Sequence, residues 1–264
     1  MRWTLKWGTL VVVLASIAVN YAVNTVSASS ASVAQISDRY TTLVTPASYA
    51  FAIWGLIFGA MIFYAVVQLM PGQRDKPVYD RLAFPLIGFS VLAALWSPVF
   101  ETEAIGLATV IIFGALGCAA LAFVRVHAAI AAGQHSRWLA VPFSLMLGWI
   151  SVASIVCVAT LLVSLGWSGG PLANTTWAVI MLAVATGLGL WLSLRYRDAL
   201  VPAVMAWAAF AIWSARVNAH PVVAAVALAA AATSATCAIG VAWHIWMHRR
   251  DVSVRLAYHD PISR

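Results

Sequence analysis

Pro46-Ala47-Ser48-Tyr49-Ala50-Phe51-Ala52-Ile53-Trp54-Gly55-Leu56-Ile57-Phe58-Gly59-Ala60-Met61 opens a long apolar run with a proline and sets four rings among small residues. A helix that had only to meet lipid needs nothing beyond Leu, Ile and Val. Here Phe51, Trp54 and Phe58 recur at a three-then-four spacing, which puts them on one helical face. Counted from Pro46 at about 1.5 Å per residue, Trp54 lies roughly 12 Å along a helix. That is deeper than the interfacial belt where membrane tryptophans collect. Rings buried on one face read either as an internal pocket for a flat, apolar ligand or as helix–helix packing.

Composition places the run in a bilayer. Of 264 residues, 63% are hydrophobic and 9% charged, and the mean hydropathy is +0.93. Ordinary globular domains carry about 25% charged residues. Apolar runs long enough to cross a membrane predict eight spans, over roughly 8–25, 46–69, 82–100, 104–124, 138–165, 174–194, 200–215 and 221–246. The runs are continuous and rich in Ala, Leu and Trp rather than alternating, which argues against soluble β-structure. The expected fold class is an all-α, polytopic integral membrane helical bundle. With eight spans and a cytoplasmic N-terminus, thirteen of the fifteen Lys and Arg residues fall on the cytoplasmic side, leaving Arg39 and Arg216 outside. This positive-inside bias accounts for the net charge of +7 and the pI near 9.8. Spread over five short segments, the basic residues give nucleic-acid binding no support.

Three motifs carry a resemblance. The stretch from Pro46 is similar to the second helix of the TspO/MBR family, the tryptophan-rich sensory proteins, which opens Pro-Pro-x-Trp-x-Phe-x-x-x-Trp-x-x-x-Tyr-x-x-Met. Pro46, Phe51, Trp54 and Met61 match, while Tyr49 and Phe58 are aromatic replacements. Leu95-Trp96-Ser97-Pro98-Val99-Phe100 resembles the Trp-Ser-Pro-x-Phe end of the family's third helix. Pro142-Phe143 and then Trp149-Ile150-Ser151-Val152-Ala153 are similar, more loosely, to Pro-Tyr…Trp-Val-x-Phe-Ala on its fifth. Two asparagines of the family pattern are replaced here by Ala93 and Cys157. The resemblance covers about residues 5–166 and implies a five-helix core over 1–166 around a cavity for porphyrins, sterol-like molecules or synthetic aromatics. Carried over by position, it points to Trp54 and Trp149 as ligand-binding residues, then to Tyr49, Phe51, Phe58, Trp96 and Phe143. Ala93 and Cys157 make such a cavity less polar than the family's.

Residues 167–247 hold three further spans beyond the helix-breaking turn Gly166-Trp167-Ser168-Gly169-Gly170-Pro171, and 248–264 form a short polar tail. Alanines of the last span allow close helix contact, and the three helices are expected to pack on the core as one membrane domain. The first span has a rival reading as a secretory signal cleaved near Val26-Ser27-Ala28. The need to keep the basic loops inside favours a retained helix. Residues 26–45 form the largest outside loop, which is either a cover for a pocket mouth or a solvated connection.

Little else carries chemistry. Cys118, Cys157 and Cys237 lie in three spans with no CxxC pair, indicating neither a disulfide framework nor a zinc site. His244 and His248 are one turn apart, yet beside Trp243, Trp246 and Arg249 they read as interfacial anchors rather than a metal pair. With no phosphate loop, nucleophile motif or acidic cluster, neither metal, cofactor nor enzymatic activity is expected. Glu101 and Glu103 read as a solvated turn or a gate, with Arg216 as a candidate partner. Trp54, Trp149 and Trp207 lie well inside their spans, where a buried indole N–H wants an acceptor. Together these features suggest a bacterial-type inner-membrane protein with both termini cytoplasmic. It would bind a small apolar aromatic or tetrapyrrole ligand as sensor or carrier, with a permease or transporter component as the alternative. The expected partners are a porphyrin- or sterol-like ligand and the lipid bilayer; a homodimer is left open.

Overall fold

The computed structural model describes residues 2–26, 36, 39–40, 42–167 and 169–258, with side chains for all of these except Arg2, Asn24, Val26 and those beyond Met247. Ser27 and Ala28 of the suggested cleavage site lie outside the described residues. So do most of the 26–45 loop, Ser168, Arg264 and the side chains of His248, Arg249, Arg250 and Arg255.

Every regular element among the described residues is helical. The order is α1 (Arg2–Val26), a 3₁₀ turn (Ser48–Ala52) leading into α2 (Ile53–Val67), α3 (Pro77–Glu101) and α4 (Ile105–Ala131). A second 3₁₀ turn (Arg137–Ala140) leads into α5 (Val141–Ser164), followed by α6 (Asn174–Tyr196), α7 (Leu200–Arg216) and α8 (Pro221–Tyr258). Proline starts α3 and α8 and sits in the first turn of α5, where its missing N–H removes no helical bond. Gly133 and Gly166, at φ +68° and +74°, follow α4 and α5 and permit the left-handed step that closes a helix. Seven of the eight helices are long and apolar enough to cross a membrane. The exception, α7, has 17 residues and reaches about 25 Å against a hydrocarbon core of about 30 Å. At the other extreme α8 runs to Tyr258, so the segment expected as a polar tail from 248 begins as helix.

The first five helices close a ring in the order α1, α2, α5, α4, α3. Lipid is as apolar as leucine, so helices in a bilayer turn their small and polar side chains toward one another. On α1, Lys6, Thr9, Val13, Ser16 and Asn20 are buried at alternating three- and four-residue steps, while Val11, Leu14, Val19 and Tyr21 face outward. Tyr64, Tyr79, Phe89, Phe123 and Phe143 are fully buried within this ring and around it. On the outside of the ring α7 packs against α5, and α6 and α8 pack on α7 and on each other. The α5–α7 approach depends on Gly148, since a Cβ there would lie 2.9 Å from Val204 Cβ. Ala209, Ala230 and Ala231 form the α7–α8 seam.

The residues from Pro46 depart from a helix counted from the proline. A 3₁₀ turn occupies Ser48–Ala52 and regular α-helix starts at Ile53, so Trp54 belongs to the first turn of α2. Phe51, in the 3₁₀ turn, pairs with a different ring from Trp54 and Phe58. Trp54 and Phe58 meet at 5.1 Å between ring centres, while Phe51 meets Trp149 edge-on at 5.9 Å. The turn is docked on α7: Ala47 N–H donates to the Ala211 carbonyl (3.1 Å) and Trp207 Nε1 to that of Ala50 (3.0 Å).

Candidate functional site

The two ends of the bundle differ in charge. Lys6, Arg74, Lys76, Arg81, Arg125, Arg137, Arg195 and Arg197 gather at the end holding the α2–α3, α4–α5 and α6–α7 connections, here the basic end. Arg39 and Arg216 lie at the opposite, loop end.

Six of the seven sequence-derived site residues, Phe51, Trp54, Phe58, Trp96, Phe143 and Trp149, belong to one hydrophobic core. The seventh, Tyr49, is exposed and lies edge-on to Trp207. The six form separate groupings. Phe143 sits nearer the basic end, edge-on to Tyr64 at 5.1 Å. Phe51, Trp96 and Trp149 close the loop-end half of the lumen: Phe51 touches Trp149, and both Phe51 and Trp96 pack against Ile36, Phe100 and Ile105. Trp96 stacks on Phe100 at 4.8 Å. Its indole N–H faces the Cys157 thiol but makes no hydrogen bond of normal geometry.

Asn20 was not singled out from the sequence. Its amide donates to the carbonyls of Ser16 (2.9 Å) and Ala93 (3.4 Å), and its oxygen accepts the Ser97 hydroxyl at 2.7 Å. A buried amide therefore meets α3 at the Ala93 position after all, supplied by α1. The nearby Ser16 hydroxyl is buried without a partner. The stripe Lys6, Thr9, Val13, Ser16, Asn20 is the signal that would have found it: polar groups at heptad spacing on a membrane helix mark its protein-facing side.

At the basic end a second network joins the ring to α7. Asp198 is buried in the α6–α7 turn. Its Oδ1 accepts the backbone N–H groups of Leu200 and Val201, both at 2.9 Å, capping α7. Its Oδ2 accepts the Ser144 hydroxyl from α5 (2.6 Å) and lies 3.2 Å from His127 Nε2 on α4. His127 Nδ1 is 2.9 Å from the Phe123 carbonyl, so the ring bridges its own helix and the carboxylate. Burial alone would raise the Asp198 carboxyl, but the hydrogen bonds from His127, Ser144 and Val201 and the facing imidazole outweigh it, holding its pKa below the ordinary value. At the same end Lys6 is buried between α1 and the α2–α3 connection, donating to the Arg74 carbonyl with Asp80 at 3.7 Å. His135 faces Tyr79 and Gln73 (3.3 and 3.1 Å), and burial, then Lys76, pushes its pKa down. Among the described residues no three His, Cys, Asp or Glu side chains gather into a metal-binding group.

A cavity of about 880 Å³ lies outside the ring, in the crevice between α4, α5 and α6. None of the seven sequence-derived residues lines it. Thr42, Leu43 and Val44 cover its loop end, held by Arg216 Nη2, which donates to the Thr42 carbonyl at 2.7 Å and that of Thr45 at 3.2 Å. Part of the long loop thus covers a cavity, though one on the other side of α5. Glu103, one of the two candidate partners of Arg216 with Glu101, is engaged by Arg39 at 2.7 Å and by the Tyr40 hydroxyl at 2.7 Å.

A family model described as TSPO-like protein matches residues 6–243. The chain belongs to the TSPO-like protein family. The match runs on from the quoted motifs through α6, α7 and most of the apolar part of α8. Neither the curated proteins nor the solved structures contain a match. Membership, together with seven long apolar helices, makes this TSPO-like chain a multi-pass membrane protein of sensory or binding type.

Proposed function

We propose that this TSPO-like protein binds a small, flat, apolar aromatic or tetrapyrrole ligand in the loop-end half of the ring lumen, as a sensor or carrier rather than an enzyme. One observation carries the reading. Phe51 meets Trp149 edge-on there and shares a packing cluster with Trp96, and the Trp96 indole N–H and the Ser16 hydroxyl are buried without a hydrogen bond of normal geometry. Each ring stacked on a flat ligand contributes about 0.5–1.5 kcal/mol beyond area burial. A buried donor without a partner costs about 1–3 kcal/mol, so a ligand atom that accepts from Trp96 recovers part of that cost. Trp54 and Phe58 on α2 belong to the same core, Phe143 packs nearer the basic end, and Tyr49 lies outside it against Trp207. By the positive-inside bias the basic end is cytoplasmic, both termini included, in a bacterial-type inner membrane.

The test is a protoporphyrin titration followed by tryptophan quenching in detergent. Affinity should fall in the order wild type, Trp54→Phe, Trp54→Ala, with a parallel series at Trp149. The alanine changes are expected to cost a few kcal/mol through lost burial and a new cavity, and Trp246→Phe should bind as wild type. Normal folding with wild-type affinity in both alanine variants would remove the assignment. A permease component is the second reading, favoured by the crevice beside α5, and flux in proteoliposomes separates the two.

A further inference from the structure

We infer that the crevice between α4, α5 and α6 is a second site, distinct from the ring lumen, for an elongated bilayer amphiphile with one uncharged hydrogen-bonding head.

Shape is the first argument. The lining extends along α5 from Leu147 to Val163, about 24 Å at 1.5 Å per residue. Spread over that length, a cavity of 880 Å³ has a mean cross-section of about 37 Å², the shape of a slot. A slot of this width admits an extended alkyl chain lying along the membrane normal.

Polarity is the second. Ser151 and Ser154 line the middle of the slot, but their hydroxyls are spent on the carbonyls of Leu147 and Ile150 in their own helix. The floor, at the basic-end side, is Phe123, Leu147 and Leu192. Hydrogen-bonding side chains gather at the loop end instead, where Thr42, Asn174, Thr175 and His220 line the cavity. Among the described residues that line it there is no Lys, Arg, Asp or Glu, and the hydrogen-bonding side chains at the loop end fit an uncharged head. An amphiphile therefore enters with its neutral head toward Asn174 and its apolar body toward Phe123.

Access is the third. α6 packs mainly on α7 and α8 and touches α5 only lightly, which leaves the slot open on its α4–α6 side. Phe113 and Val124 on α4 and Val184 and Leu188 on α6 line the slot and are also exposed on the lipid-facing surface. A molecule dissolved in the bilayer reaches the slot sideways, without crossing water. The site depends on α6, which lies outside the five-helix ring, so it supplies a role for the added helices that the lumen does not.

The experiment uses the full-length protein in phosphatidylcholine–phosphatidylglycerol nanodiscs and a diazirine-bearing long-chain alcohol, with labelled peptides mapped by mass spectrometry. Labelling should concentrate on residues 151–163 and 178–188 and saturate against the unlabelled alcohol. The analogous carboxylate should label these peptides less. Ala185→Trp, which fills the slot, should lower that labelling about tenfold, equivalent to about 1.4 kcal/mol of affinity. The lipid-facing Leu56→Trp should leave it unchanged. Ala159→Leu, a smaller filling, is read in its place if Ala185→Trp does not fold. Labelling spread evenly over the lipid-facing helices, or unchanged by the filling variant, would overturn the site. Protoporphyrin quenching in the same variants should stay at the wild-type level, so failure of this site and failure of the lumen reading give different results.

Discussion

Replacing Asp198 tests how the outer helices are fastened to the ring. The carboxylate is 6% exposed and serves three elements at once: the first N–H groups of α7, Ser144 on α5 and His127 on α4. Alanine removes an N-cap, a loss of about 0.5–2 kcal/mol. It also leaves the Ser144 hydroxyl and a buried imidazole without their acceptor, and a buried donor left unsatisfied costs about 1–3 kcal/mol. These losses share one group and do not add in full, so Asp198→Ala should destabilise by about 2–4 kcal/mol. Asparagine keeps an oxygen for the α7 cap but turns an amide toward His127, and should cost less. Denaturation in mild detergent, followed by circular dichroism, measures both. A double-mutant cycle with His127→Ala should show coupling above about 0.5 kcal/mol. The pH dependence follows from the sign of the shift. A carboxyl with a depressed pKa contributes stability that is complete above its ordinary value of 3.8 and lost as pH falls through the folded value. His135, lowered from 6.5, acts in the same direction from a higher pH, because the unfolded chain takes up the proton first. Stability should decline below about pH 6.5 and again below the ordinary carboxylate range, and Asp198→Asn should lose only the second step. An Asp198→Ala protein within 1 kcal/mol of wild type, with no change in its acid limb, would refute this account of the network.

Gly148→Ala should destabilise by about 1–3 kcal/mol, because its Cβ would meet Val204 Cβ at 2.9 Å. Gly117→Ala, with nothing within 4 Å, should melt as wild type does. Reporter fusions after residues 34 and 170 should read outside and those after 75 and 255 inside; an outside C-terminus would refute the eight-span topology. Chelator treatment should leave thermal stability and porphyrin affinity unchanged, and stoichiometric zinc or iron lost together with binding would contradict that.

The helices were legible because a bilayer writes them as continuous apolar runs, and each of the eight runs contains a helix. Helix beginnings were less so. Pro46 suits the start of a helix, yet the chain takes a 3₁₀ turn first, because Ala47 and Ala50 are bound to α7, a contact nearly 160 residues away in sequence. The aromatic site residues could be named from their motifs, but their grouping depends on the ring order α1, α2, α5, α4, α3, which no local pattern carries. Asn20 and Lys6 were readable in principle from the heptad of polar residues on α1. Asp198 was not, because a lone acidic residue beside Arg197 looks like a solvated turn until His127 and Ser144 are brought to it from two other helices.

The most direct test of the lumen as a ligand site is native mass spectrometry of the intact protein released from mild detergent after incubation with protoporphyrin. Wild-type protein should retain one porphyrin mass, Trp54→Ala and Trp149→Ala should lose it under the same activation energy, and Trp246→Phe should keep it. Equal retention by wild type and both alanine variants, or none by any at saturating ligand, would contradict the claim.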